Sequence, residues 1–507
     1  MLKNILLASC LLSVGAIAAE NTKNSDGTDF KAPRLAGDSL AIKPLNKESD
    51  KTVNSIQEMF ENGKVKGLIR YSGQYRDSDY HPTTTTVNSP KHPVQQYSAI
   101  GGYLGYETAA WNNFSMGATF YVAEKLGNNP DHRTGLGGLN EDEGASSYAV
   151  LAESYLKYKD AENDVRYGRR EMPNYRFVSL SNIRFSPITH EGTTYENTML
   201  DDTKFIMGYI SKQKNRNSED FVGMVRAARV KESNIAGYNK NPALNKGNYD
   251  PNDYKNGEYD GDRKTMGMFG INHKQDNYTL EAWDYYVEDF VNTVYLYGDY
   301  SFKVDADRTL TFAAQYGQQN NIGDNVAGDV NTWFYGLKTQ LSIDSGITVF
   351  AAWNEVKYDE RTYDGGTIFV RWGTPQMFNS FQVQDSETAG TKSIGGGIQF
   401  ELGKMGIVPN TVIRFRYADY NMPDNISQTF AAQDRTETTF DLRYSFEKND
   451  GFGIFTEMDG LSIQFRVAYD DYKTDYDYDA FRSRGHTIED EVHDDFWDYR
   501  LYIDYMF

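Results

Sequence analysis

The C-terminal stretch of the chain alternates without a break. Trp497, Tyr499, Leu501, Ile503, Tyr505 and Phe507 fall on one face, and Asp498, Arg500, Tyr502, Asp504 and Met506 on the other. A period of two is the pattern of a β-strand with one apolar and one polar side. The pattern recurs along most of the chain. Ile69, Tyr71, Gly73 and Tyr75 interleave with Arg70, Ser72 and Gln74, and Phe114, Met116, Ala118, Phe120 and Val122 with Ser115, Gly117, Thr119 and Tyr121. Further runs start at Thr309, Ser393, Val412, Glu437 and Leu461. Leu280 to Val287 is apolar at both phases, and a bulge or register change is expected there.

The connections are of two lengths. Residues 303–307 and 342–346 are tight, whereas 125–147, 213–263, 354–392, 421–435 and 470–494 are long and polar. No apolar run after the N-terminal region reaches the ~18 residues of a membrane helix. Many alternating strands joined by short turns and long loops in turn predict an all-β fold. It is a transmembrane antiparallel β-barrel with lipid outside and water inside, and 16 to 18 strands suit segments of about 10 residues. A large secreted β-protein such as a propeller explains neither the terminal aromatic strand nor the loop asymmetry.

The N-terminus supports export. Lys3 precedes an apolar run from Ile5 to Ile17, and Ala16-Ile17-Ala18 supplies small residues for cleavage, so residues 1–19 read as a signal peptide. Leu7-Ala8-Ser9-Cys10 resembles a lipoprotein site but follows too short a lead. Cys10 is the only cysteine, so the mature chain has no disulfide, thiolate metal site or cysteine nucleophile. Residues 20–63 read as a flexible periplasmic extension, with a short helical turn at Ile56 to Glu61, and 64–507 as the barrel. A terminal aromatic after such a strand reads as an assembly signal, which assigns Phe507 to the barrel assembly machinery.

Composition adjusts this picture in two ways. A mean hydropathy of -0.66 is too polar for a helical membrane protein, but in a barrel only alternate strand residues meet lipid. The 38 Tyr and 28 Phe suit aromatic girdles. The net charge of -20 argues against nucleic acid as a partner and is expected to sit in outer loops.

Several stretches resemble the OprD family of substrate-selective porins. They are AESYLKYKDAENDVRYGRRE from Ala152, RFSPITHEGTTYENTM from Arg184, WDYYVEDFVNTVYLYGDY from Trp283 and MFENGKVKGLIRYSGQY from Met59. The last is also similar to the major outer-membrane porins of epsilonproteobacteria. The resemblance spans most of 59–507. It implies an 18-stranded barrel, an eyelet made by loops folded inward and a ladder of basic lumenal side chains. It also implies bacterial outer-membrane residence among lipid and lipopolysaccharide, and it admits a homotrimer. The acidic loop around 248–262 and the first 60 residues depart from the family pattern and leave the solute open.

The candidate site residues are arginines on the polar phase. Arg414, Arg416, Arg443, Arg466 and Arg500 belong to the last strands and Arg70 to the first, so barrel closure would gather them on one wall. Lys157, Arg166 and Arg170 are additions from another region. An Arg at the lipid midplane costs about 2–4 kcal/mol, which places these residues in the lumen. Fixed guanidiniums would attract carboxylates and release them. The plainer reading is that they form structural ion pairs with the acidic pore-lining candidates Glu437, Asp441, Asp498 and Asp504.

The acids at 141–143, 250–262, 470–479 and 489–495 admit a loop-bound divalent cation, although solvated loops are the default. No cofactor is expected. Gly135, Gly137 and Gly138 lack the strand-to-helix setting of a phosphate loop. The seven histidines show no zinc spacing, and His190-Glu191 has no nucleophile motif beside it. The expected function is therefore passive, partly selective diffusion of small solutes, carboxylates or amino acids, without chemistry. A structural or adhesive barrel and a barrel hydrolase are the rival readings.

Overall fold

Alternation becomes a ring. The computed structural model describes residues 51–78, 94–127, 138–140, 146–179, 184–228, 264–324, 328–359, 361–373, 377–383, 386–422, 434–446, 459–473 and 495–507. Residues 1–19, read above as a signal peptide, Gly135, Gly137 and most of the acidic loop segments lie outside them.

The long strands are β1 (Lys64–Ser78), β2 (Val94–Glu107), β3 (Phe114–Lys125), β4 (Tyr148–Lys159), β5 (Asn163–Arg170) and β6 (Thr189–Asn197). They continue with β7 (Thr203–Lys214), β8 (Met266–Lys274), β9 (Tyr278–Val287), β10 (Val291–Lys303), β11 (Arg308–Asn321) and β12 (Asn331–Ile343). The last are β13 (Ile347–Val356), β14 (Lys392–Glu401), β15 (Thr411–Asn421), β16 (Arg435–Ser445), β17 (Leu461–Tyr472) and β18 (Phe496–Met506). Each pairs antiparallel with its sequence neighbours, and β1 pairs with β18 from Leu68↔Met506 to Ser78↔Phe496. The result is a closed 18-stranded antiparallel barrel. Closure removes every edge, the condition for backbone to cross lipid without unsatisfied amides.

The seam is finished by the chain's last residue. Gly67 N–H donates to the Phe507 carbonyl at 2.9 Å, and Phe507 N–H to the Gly67 carbonyl at 3.1 Å. Beside it, Gly102 on β2 has φ +139°, and a Cβ there would lie 1.8 Å from the Leu68 carbonyl oxygen on β1. Only glycine fits this backbone approach. Gly102→Val is therefore expected to abolish the folded, heat-modifiable species on semi-native gels. Native-like levels would show that β1 and β2 pair differently.

The outer face is apolar as the alternation requires. Ile69, Leu104, Phe120, Leu156, Phe312, Leu337, Ile394 and Phe415 all point out and are exposed in the isolated chain. Connections are mostly short at one end and mostly long at the other, which makes the first end periplasmic. At that end Thr52–Val53 pairs in parallel with Ala110–Trp111, and helix α1 (Ile56–Glu61) follows. Glu58 N–H donates to Ser55 Oγ, and Asn54 N–H to the Glu58 carboxylate, a reciprocal cap that explains why so short a helix forms.

The doubly apolar segment 280–287 holds no bulge, contrary to expectation. Its register against β8 and β10 is unbroken. The register shifts fall at Thr119/Phe120 and Glu191/Gly192 instead. Segment 280–287 is apolar on both faces because its inner face also meets a core. Trp283, Tyr285 and Val287 pack with Ile206, Ile210, Met266, Met268, Tyr295 and Phe334 from neighbouring strands and with residues of three inward loops. This core packs inside the barrel against β7 to β13.

Candidate functional site

The side opposite that core carries the arginines. Register sets them in rows. Gln399, Arg414, Asp441, Arg466, Arg500 and Gln74 stand opposite one another across β14 to β18 and β1. One row nearer the long loops lie Arg416, Thr439, Ala468, Asp498 and Arg76. One row nearer the periplasm lie Val412, Arg443, Gln464, Tyr502 and Ser72. Arg70 and Asp504 follow beneath. The structure thus brings all six wall arginines expected from the sequence together.

Most of them are bonded into the wall. Arg70 grips Asp504 with two hydrogen bonds, 2.7 and 2.9 Å, across the seam. Arg500 and Arg76 share Asp498, at 2.5 and 2.8 Å. Arg466 sits 3.2 Å from Asp441, and Arg414 donates to Gln399 at 2.8 and 3.0 Å. Arg416 donates to Thr439 and lies under the Phe381 ring. Arg466 and Arg500 are direct cross-strand neighbours, a repulsive placement that their separate carboxylates relieve. Arg70, Arg414, Arg416, Arg466 and Arg500 are only 3–7% exposed. The acids Glu437, Asp441, Asp498 and Asp504 are 0–1% exposed, so they run along the wall among the arginines and are hidden from solvent.

Two loops press against this wall. The described parts of the β5–β6 connection, residues 171–179 and 184–188, lie inside the barrel. Arg176, at φ 60°, is held by two hydrogen bonds from its guanidinium to Glu281, 2.5 and 2.8 Å, and by the Tyr297 ring. The Tyr285 hydroxyl donates to the Tyr175 carbonyl and accepts from Phe177 N–H. These bonds satisfy backbone groups that a loop inside a barrel cannot give to bulk water. The same loop returns to the basic wall, where Arg184 donates to Gln74 at 3.4 Å and its carbonyl accepts from Arg70 at 2.6 Å.

The described residues between β13 and β14, 357–359, 361–373, 377–383 and 386–391, belong to the second inward loop. The Gln319 amide pairs with both backbone groups of Phe369, and Trp372 Nε1–H donates to the Met224 carbonyl. Met224 begins helix α2 (Met224–Ala227) in the β7–β8 loop. The far end of the loop is tied to the wall. Glu437 accepts from the backbone of Gln382 and Val383, and Gln382 donates to Asp498. Two of the four expected acids therefore hold this loop as well as lining the wall.

Exposure then separates the cations. Arg443, Arg76 and Arg184 are half-buried, unlike the five deeper arginines. Arg184 is a residue that alternation could not identify, because it lies in a loop; only its stretch of family likeness pointed to it. Lys157, Arg166 and Arg170 stand apart from the wall. Lys157 is bonded to Glu107 at 2.5 Å, Arg166 to Asp164 at 2.7 Å, and Arg170 to Thr194 at 2.7 Å. His190 and Glu191 do not act together: His190 is buried against Gln213, whereas Glu191 binds Arg169. Among the described residues no cluster of His, Cys, Asp and Glu could hold a metal ion.

The model of the OprD family of outer membrane porins matches residues 105–482. The chain belongs to the OprD family of outer-membrane porins. Solved porins share the fold at low identity. Pseudomonas aeruginosa OccK9 (OpdG) superposes with a TM-score of 0.65 at 16% identity, covering 88% of this chain and 99% of that one. Pseudomonas aeruginosa OpdK, solved with vanillate, gives 0.62 at 15% identity, covering 89% and 99%. Acinetobacter baumannii OccAB4 gives 0.62 at 14% identity, covering 88% and 98%. No curated protein sequence matches the chain significantly. Family and fold place this porin in the bacterial outer membrane.

Proposed function

We propose that this porin passes small carboxylates and amino acids by passive diffusion, with a preference set by the basic wall. The observation that carries the reading is the two-layer arrangement of cations. Arg70, Arg414, Arg416, Arg466 and Arg500 form a buried layer bonded into the wall. Arg443 and Arg184 stand in front, reached by water, while the wall's acids are shut away. Tyr502, the register neighbour of Gln464 beside Arg443, also lies in the field of Arg184. Arg70 donates to the Arg184 carbonyl and lies in the field of Arg443, which supports the reading that both guanidiniums address this part of the lumen. A fixed positive field at a narrow place raises local anion concentration. The chain's other acids are screened beyond about 8 Å. A chemical family resemblance supports the class, since OpdK was solved with vanillate, a carboxylate.

The test is a reversal potential in a salt gradience across a planar bilayer, for native porin and for Arg184→Gln/Arg443→Gln. The double variant is expected to shift towards cations and to lose carboxylate flux several-fold, with heat modifiability intact. Unchanged selectivity in the folded variant would leave the wall a purely structural feature. Replacing Arg414 and Arg466 tests the buried layer and is expected to affect stability as well as selectivity.

A further inference from the structure

The outer face carries cations that the lumen does not use. On β5, Arg170 turns inward to Thr194 and to Tyr175 of the inward loop, so Arg169 stands on the outward phase with Tyr167. On β6, His190 turns inward to Gln213 and Glu191 outward. On β7, Gln213 turns inward to the Arg371 carbonyl and Lys212 is exposed. Ser154, Arg169, Glu191 and Lys212 form one row across β4 to β7. The register shift at Glu191/Gly192 makes this row. It sets Lys212 opposite Glu191, where an unbroken ladder would set Ser211, and a bulge re-aims a side chain in this way. Arg169 and Lys212 lie close to the ends of their strands that lead into long connections, hence towards the cell exterior.

The donors of this row are largely unused. Arg169 donates through Nε to Glu191 at 2.8 Å, and Glu191 also accepts from the Ser211 hydroxyl. Phe221, paired with Lys214, lays its ring 4.1 Å from the Arg169 guanidinium and fixes that plane. The Nη groups of Arg169 and the ammonium of Lys212 have no acceptor among the described residues. Two cations thus share one acid on a face where an unmatched charge is costly. One outward row nearer the periplasm, Leu156, Tyr167 and Tyr209 are exposed.

We propose that this face binds a phosphorylated glycolipid of the outer leaflet, with a phosphate held by Arg169 and Lys212 and acyl chains laid over Leu156, Tyr167 and Tyr209. The two cations are two strand spacings apart, about 10 Å, within the joint reach of two long side chains. A guanidinium held flat by a ring and bonded only through Nε presents its remaining edge as a fork for phosphate oxygens. Cations towards the exterior and aromatic residues beneath them match a molecule that is anionic at one end and apolar at the other. The site lies on the opposite side of the wall from the solute path and is independent of the selectivity reading.

The experiment reads the temperature at which the heat-modifiable species is lost on semi-native gels. Native porin and Arg169→Gln/Lys212→Gln are reconstituted in phosphatidylcholine vesicles with and without purified lipopolysaccharide. Lipopolysaccharide is expected to raise that temperature by several degrees in native porin and to leave the variant unmoved, since a ligand of the folded state stabilises it. Dephosphorylated lipopolysaccharide and inorganic phosphate are expected to do little to either protein. Equal gain in both proteins, no gain in native porin, or a full gain from the dephosphorylated glycolipid overturns the assignment. A full gain from inorganic phosphate also overturns it and makes this a free-anion site. Loss of an oligomeric band in the variant with the lipopolysaccharide response kept overturns it in favour of a contact between copies. Lys212→Gln alone guards against a folding defect, because Lys212 has no partner to lose; its gain is expected to fall below native, and a native-sized gain counts against the proposal.

Discussion

Asp504→Ala is expected to destabilise the folded barrel by about 3–5 kcal/mol, the cost of stranding one member of a buried ion pair. Arg70 and Asp504 are 3% and 1% exposed and join the first strand to the last. Without the carboxylate, Arg70 keeps its charge and its bond to the Arg184 carbonyl but loses two charge-assisted hydrogen bonds. The loss falls on the seam, where β1 and β18 must find each other across the whole length of the chain. Equilibrium unfolding by urea in lipid vesicles measures it. A paired variant, Arg70→Met/Asp504→Leu, should recover much of the stability, because replacing both partners removes the uncompensated charge. An Asp504→Ala barrel as stable as native would mean that water or another group already shields Arg70.

Trp372→Ala is expected to raise single-channel conductance and current noise. Trp372 is 0% exposed and sits in the core that packs inside the barrel against β7 to β13. Removing a buried Trp costs about 3–5 kcal/mol, and here the cost falls on a loop that is otherwise held by Ile368, Phe369 and Met377 in the same core and by a few hydrogen bonds. The barrel itself is held by its strands and should stay folded. Gly373→Val is a sharper companion. A Cβ at 373 would lie 2.6 Å from Ser179 N and 2.8 Å from Phe177 O, both backbone of the other inward loop. The two loops must then separate. Native conductance in both variants would show that the loops keep their places without this contact.

Strand patterning was legible because a membrane barrel imposes the same rule on every stave. Lipid on one side and water on the other force alternation, as in Trp497, Tyr499 and Leu501 against Asp498 and Arg500. The rule fails where the lumen is not wet. Trp283, Tyr285 and Val287 face inward yet are apolar, because side chains of two inward loops, Phe177 and Trp372 among them, share their core. Nothing local in 280–287 announces a partner about 90 residues away, and a bulge was the natural but mistaken local explanation. Arg184 was missed for a related reason: it lies in a loop, where no periodicity tells inward from outward.

From residue order alone follow the barrel, its polar lumen and the gathering of Arg70 with the late arginines, since period and closure are one-dimensional constraints. Which arginines meet water is a different kind of fact. Arg443 and Arg466 have the same phase and lie on adjacent strands, yet one is half-buried and the other 7% exposed. Elsewhere on the wall the cover is visible: one distant loop sets Phe381 over Arg416 and Gln382 beside Asp498. Burial and ion pairing depend on distances in three dimensions between residues far apart in the chain, and only the folded barrel brings those residues together.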